Sequence, residues 1–388
     1  MRIAYVFDQL LPRTAADTEQ VVNTVSALGR CGVHVDLILP RARGVDPVTA
    51  ESLAQWYDVE LTFGVQTVPG VYPAHRGLEK LGHALTGPWA ELTRSADIVY
   101  TRNVPTLLAL LSFAKQPVVY EHFRPWPSQS RAMALLFGRI AHLRRAPALV
   151  MHSEFAAKSY WGVGFSPSRT LVAHNGWDPR LMEPALERDA ARVACGIDHR
   201  GPIVLYSGHI NERKGLGTLL ALAEAFPAAR FVLVGSEGHG PIEARAQSIP
   251  NVDIRPWCSR RALVPFLYAA DILALPPSSG PLQQVGNTVL PLKTFIYLAA
   301  GRAIFGGDTP DVRELLHDGT NARLVRPDDH QAARTAMAEL LADVALRDRL
   351  GAAAKAVAAD LTWTARGGRI AAFLAGIAGA ARRGDKSR

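Results

Sequence analysis

The sequence predicts an α/β protein of two consecutive domains, each built on a parallel sheet. Three observations carry this expectation. Short, nearly all-apolar β-branched runs alternate with longer stretches of helical periodicity, the pattern of buried parallel strands joined by crossover helices. The alternation stops once, near the middle of the chain, and then restarts. The 388 residues exceed one ordinary core and suit two domains of roughly 150 to 200 residues.

In the first half the strand-like runs are RIAYVF at 2–7, VHVDLILP at 33–40, DIVYTR at 97–102, PVVYEHF at 117–123, ALVMHSE at 148–154 and TLVAHN at 170–175. Asp58-Val59-Glu60 also lies in an apolar run that reads as strand. Residues 176–201 carry Gly, Pro and charge without a strand pattern, which places a linker near 178–200. The second half resumes with PIVLYSG at 202–208, RFVLVGS at 230–236, NVDIRPW at 251–257, DILALPP at 271–277, RAIFGG at 302–307 and NARLVRP at 321–327. Two Rossmann-like sheets follow. The expected domains are 1–178, 179–365, and a C-terminal helix with a basic tail, 366–388, packing back on the first.

Composition narrows the function classes. At 48% hydrophobic and 20% charged, the chain can bury sizeable cores and is not a disordered polymer. Its longest uncharged apolar stretches, at 104–114 and 371–381, fall short of the roughly 20 residues that span a bilayer. Asp8 interrupts the N-terminal apolar run where a signal peptide would continue, so a cytoplasmic location is expected. Cys31, Cys195 and Cys258 are far apart and form no metal-spaced cluster, so no metal is expected. The net charge of +8 comes from scattered arginines, which points away from nucleic acid. Arg139, His142, Arg144 and Arg145 form a basic edge beside apolar LLFGRIA; this fits either a solvated amphipathic helix or peripheral contact with an anionic inner membrane face.

Three clusters could carry chemistry. In PIVLYSGHINERKGLGTLLALAEAF a buried strand ends at Gly208, a polar loop carries His209, Lys214 and Gly215, and a helix begins. Ligands of open α/β sheets bind beyond the carboxyl ends of strands, where a helix N-terminus offers unpaired N–H groups to phosphate. A solvated basic turn fits the same residues equally well. The string GSEGHGP at 235–241 follows another strand and reads more simply as a turn. In PPSSGPLQQVGNTVLPLKTFIYLAAG, a strand end leads through a long polar loop to Pro291 at a helix start, where the amides of Asn287, Thr288, Val289 and Leu290 could face a ligand.

In this order on the second of two Rossmann-like domains, these clusters resemble the GT-B glycosyltransferases of the large retaining family 4. SGHINERKG resembles that family's diphosphate loop, HNGWD at 174–178 its motif at the end of the first domain, and PLKTFIYLAAGRAI a segment common to one of its subgroups. The resemblance implies two domains facing each other across a cleft and transfer of a sugar from a nucleotide diphosphate sugar to a hydroxyl acceptor. Retention, no metal and no further cofactor are implied with it. Lys214 would take the leading catalytic role on the diphosphate, helped by Gly208, His209 and the amides of 287–290. His122, in YEHFRP, lies one position before the family's sugar-side histidine, where Phe123 stands. Such a shift on a strand reverses the side-chain face, so a structural histidine is the competing reading. Glu121 matches the family pattern.

Several positions depart from the family. Thr288 and Ile296 stand where two glutamates eight positions apart contact donor sugar and ribose, His209 replaces a phosphate-binding arginine, and Ala16-Asp17 replaces a Gly-Gly loop. A charged hydrogen bond is worth about 1.5 to 3 kcal/mol, so Ile296 alone could weaken donor binding by roughly 10- to 150-fold. A second reading is therefore a GT-B protein with a decayed donor site, acting as a carbohydrate-binding or scaffolding subunit. The lack of any Asp-x-Asp string disfavours a metal-dependent GT-A enzyme.

Overall fold

The structure is a computed structural model that describes residues 1–41, 44–69, 78–280 and 290–386. The chain divides into two compact units, 1–175 with 363–388, and 176–362.

The first unit holds a seven-stranded sheet of order β3-β2-β1-β4-β5-β6-β7. Its strands are β1 (Arg2–Val6), β2 (His34–Arg41), β3 (Gly64–Pro69), β4 (Ile98–Thr101), β5 (Val118–His122), β6 (Ala148–Met151) and β7 (Thr170–Val172). Every pairing is parallel. Side chains alternate between two apolar layers: Ile3, Tyr5, Val119 and Val150 pack on one face, and Ala4, Val6, Tyr120 and Met151 on the other. No helix among the described residues is long and apolar enough to cross a membrane.

The second unit holds six parallel strands in the order β10-β9-β8-β11-β12-β13. They are β8 (Ile203–Ser207), β9 (Arg230–Ser236), β10 (Val252–Pro256), β11 (Ile272–Ala274), β12 (Ala303–Gly307) and β13 (Arg323–Val325). Within each unit the first strand pairs with the second on one side and the fourth on the other, so the chain's direction of travel across the sheet reverses there. Crevices beyond the strand ends at such reversals are where doubly wound sheets bind ligands.

Three expectations need correction. Asp58-Val59-Glu60 is not strand: helix Ala50–Tyr57 ends there, with Asp58 as its left-handed C-cap at φ 49°, and the strand begins only at Gly64. Beyond the six strands read from the first half, the sheet has β3 at its edge. Residues 178–200 are not a free linker but part of the second unit, where helix Arg188–Ala194 packs on helix Arg260–Ala269. After Thr362 the chain returns to the first unit as helix Trp363–Lys386 on helix Ala16–Arg30. A Cβ on Gly367 would stand 2.7 Å from the Ala27 carbonyl oxygen, so the bare α-carbon permits that close approach.

Candidate functional site

In the second unit the site grows from the end of β8. Gly208 follows the strand at φ 126°, a conformation other residues rarely adopt, and its N–H donates to the Val234 carbonyl at 2.9 Å. The loop then turns through His209 to a short 3-10 turn at Glu212–Lys214, and Gly215 at φ 70° opens helix Leu216–Ala225. Leu216, Leu219, Leu220 and Ala223 anchor that helix in the core, which fixes its N-terminus above the strand ends. Tyr206 Oη donates to the His209 carbonyl at 3.0 Å and holds the loop down. A Cβ on Gly215 would come within 2.5 Å of Ser278 Cβ, so this loop lies directly against the one that follows β11.

Lys214 is exposed on the turn, and desolvation by its surroundings lowers its ammonium pKa from the ordinary value. Nothing among the described residues offers it a carboxylate. His209 differs: its Nδ1 lies 3.2 Å from Glu237 Oε1, in the turn after β9. The imidazole is thus already beside a carboxylate. Leu290 and Ile296 are half-buried against the apolar core, so position 296 presents hydrocarbon to its neighbours. Asn287, Thr288 and Val289 lie outside the described residues.

Sequence reasoning missed Lys293, the first residue of helix Lys293–Ala300. Its Nζ sits 3.7 Å from the centroid of the Tyr206 ring, a cation–π contact. A Cβ built on Gly208 would be 2.7 Å from that Nζ. Tyr297 Oη, one turn on, accepts from Ser207 N–H at 2.8 Å and ties the helix to the end of β8. The signal in the sequence was a lysine among apolar residues at a helix start, which reads equally well as a solvated first turn.

In the first unit, polar side chains gather beyond the ends of β1 and β4. Asn103 Nδ2 donates to buried Asp8, Arg102 donates to the Asp17 carbonyl at 3.0 Å and to Gln20, and Gln9 donates to Asp17 Oδ2 at 2.5 Å. The Asp17 carboxylate is therefore already engaged. On β5, Glu121 and His122 point to opposite faces. Glu121 is fully buried and accepts from Tyr5 Oη at 2.9 Å, Gln20 Nε2 at 2.7 Å, His152 Nε2 at 2.9 Å and Arg366. Burial pushes its carboxyl pKa up, but the Arg366 guanidinium and the His152 hydrogen bond outweigh burial and hold it well below the usual range. His152 is itself pushed down to about 4, chiefly by burial, so it donates as a neutral imidazole.

His122 stacks on Phe123 at 4.9 Å and packs near Tyr120 and Trp126. Its Nδ1 accepts the Arg124 N–H at 2.8 Å, and burial, with Arg102 second, holds its pKa well below the ordinary value. The neutral ring therefore carries its proton on Nε2. Of the basic edge, Arg145 is committed to the carbonyls of Ala114, Lys115 and Gln116 at 2.5 to 2.8 Å, while Arg139, His142 and Arg144 are exposed beside exposed Leu135 and Leu143.

Residues 201–343, which contain β8 to β13 and both lysines, match the family Glycosyl transferases group 1. The chain is 28% identical over 194 residues to a D-inositol 3-phosphate glycosyltransferase of Xylanimonas cellulosilytica, covering 48% of this chain and 45% of that relative, less than half its length. Among solved structures it superposes on sucrose-phosphate synthase of Thermosynechococcus elongatus with TM-score 0.76 and 18% identity, covering 98% and 99% of the two chains. HepE of Anabaena in complex with UDP superposes with TM-score 0.74 and 17% identity over 97% and 100%. Residues 201–343 thus match the Glycosyl transferases group 1 family, in a chain that has the GT-B fold.

Proposed function

We propose that this protein transfers a glycosyl unit from a nucleotide diphosphate sugar to a hydroxyl acceptor, with retention at the anomeric carbon and without a metal. The observation that carries the reading is Lys214. It is an ammonium without a carboxylate partner among the described residues, on the loop between a strand end and a helix N-terminus, where the chain's direction of travel across the sheet reverses. In the reaction the anomeric carbon's bond to the diphosphate oxygen breaks and the acceptor oxygen takes its place. The acceptor's proton leaves with the diphosphate. Positive charge on the departing phosphates is the main demand, and no protein nucleophile is needed. The matched relative is named a D-inositol 3-phosphate glycosyltransferase and HepE is bound to UDP, which supports a nucleotide donor and leaves the acceptor to be found.

His122 is assigned to the sugar side, where Nε2–H would donate to a hydroxyl; His122→Ala should lower turnover more than it weakens nucleotide binding. Arg139 and Arg144 with Leu135 and Leu143 are assigned to a peripheral anionic membrane surface, testable by co-sedimentation with phosphatidylglycerol vesicles.

The first test is thermal unfolding with UDP-, GDP-, ADP-, CDP- and TDP-sugars and the matching nucleotides. A ligand at 100 times its dissociation constant adds about 2.7 kcal/mol, roughly 5 to 10 °C for domains of this size. A shift with one nucleotide supports the transferase. Silence across the panel, confirmed by calorimetry, supports the second reading, a binding or scaffolding subunit, which Ile296 and the His209–Glu237 pair favour.

A further inference from the structure

We propose that Lys293 is the second cation of a diphosphate-binding pair with Lys214, and that it does the work of the arginine that His209 replaces. The inference rests on the donor reading above and adds a residue that the loop motif does not contain.

The geometry supports it in three ways. First, Lys293 Nζ reaches from the start of its own helix to the end of β8, over the Tyr206 ring and against the bare α-carbon of Gly208. Tyr297 fixes that helix to Ser207, so the reach is built in. Second, the charge is uncompensated among the described residues. No carboxylate pairs with Lys293 or Lys214 among the described residues, and residues 281–289, PLQQVGNTV, contain neither Asp nor Glu. Burial, and after it the charge of Lys214, pushes the Lys293 ammonium well below its ordinary pKa. A buried ammonium that a second positive charge disfavours is costly unless an anion joins it. Third, His209 has Glu237 beside it and brings no net positive charge to the loop. A diphosphate brings two phosphoryl groups, one for each ammonium, where a monophosphate brings one.

Among the described residues, the Tyr206 ring on β8 lies under Lys293 Nζ, and the charge of Lys214 on the loop after it acts on the same ammonium. Burial keeps the Tyr206 and Tyr297 phenols neutral, with Tyr297 pushed up to about 12. An arriving diphosphate is therefore the anion that raises the Lys293 pKa, and binding at alkaline pH should take up a proton.

The test uses the full chain and isothermal titration with UDP, GDP and ADP and their monophosphates. In Lys293→Met we expect diphosphate affinity to fall about 10- to 150-fold, the loss of one charged hydrogen bond, with monophosphate affinity held within about twofold. Lys293→Arg should restore most of it. At pH 8.5 the wild-type binding heat should vary with buffer ionisation enthalpy, reporting proton uptake, and that dependence should vanish in Lys293→Met. If the methionine variant does not fold, Lys293→Gln takes its place. Wild type binding a diphosphate while Lys293→Met binds it equally well would overturn Lys293 and leave the donor reading standing. Equal losses for mono- and diphosphate would overturn the bridging role. Wild type binding none of the six nucleotides would overturn both.

Discussion

Glu121 and Arg366 form a buried charge pair with less than 2% exposure on either side chain. Removing one partner leaves the other charged and dry, which costs about 3 to 5 kcal/mol. Glu121→Ala should therefore destabilise the first unit by that amount in urea unfolding, while Leu341→Ala in the other unit should leave it unaffected. Three buried histidines in the same unit act through pH. His83 and His152 are pushed down to about 4 and His122 well below its ordinary value, all chiefly by burial. Between about pH 4 and 6.5 the unfolded chain binds protons that the folded chain refuses, so stability rises with pH. Each such histidine contributes up to about 1.4 kcal/mol per pH unit. The urea midpoint of the first unit should fall as pH drops from 6.5 to 4.5; a flat profile would count against the buried neutral state. The Lys214 loop was legible in the sequence because its motif is contiguous. Lys293 and Arg366 were not, since a lysine at a helix start and an arginine inside a helix look the same whether buried or solvated.

At the scale of elements, twelve strands were legible because buried parallel strands are short and almost wholly apolar. β3 escaped because GVQTVP is half polar and ends in proline, as an edge strand with one unpaired side can. The C-terminal helix was legible in pattern. Its fit was not, because it depends on Gly367 meeting the backbone of Ala27, a residue 340 positions earlier. Gly367→Val should force the two helices apart and lower the first unit's stability by about 1 to 3 kcal/mol, read as a drop in urea midpoint. Gly376→Ala, where a Cβ meets open space, should be neutral or mildly stabilising.

For the whole molecule, the second unit is one continuous segment, whereas the first is closed by a helix that returns from beyond it. Deleting residues 363–388 should therefore expose the apolar face that Ile370 and Leu374 cover and cause aggregation, seen by size-exclusion chromatography. The nucleotide binding proposed for the second unit should outlast that lesion in whatever fraction stays soluble. The sequence by itself determined the α/β class, the restart of the strand rhythm and the polar loop at Gly208, because each is a local pattern of apolar spacing and turn residues. Only the tertiary structure decided which charges meet. Glu121 finds Arg366 across 245 residues, and Lys293 finds Gly208 across 85, because strand order and helix docking set those distances and the spacing along the chain does not.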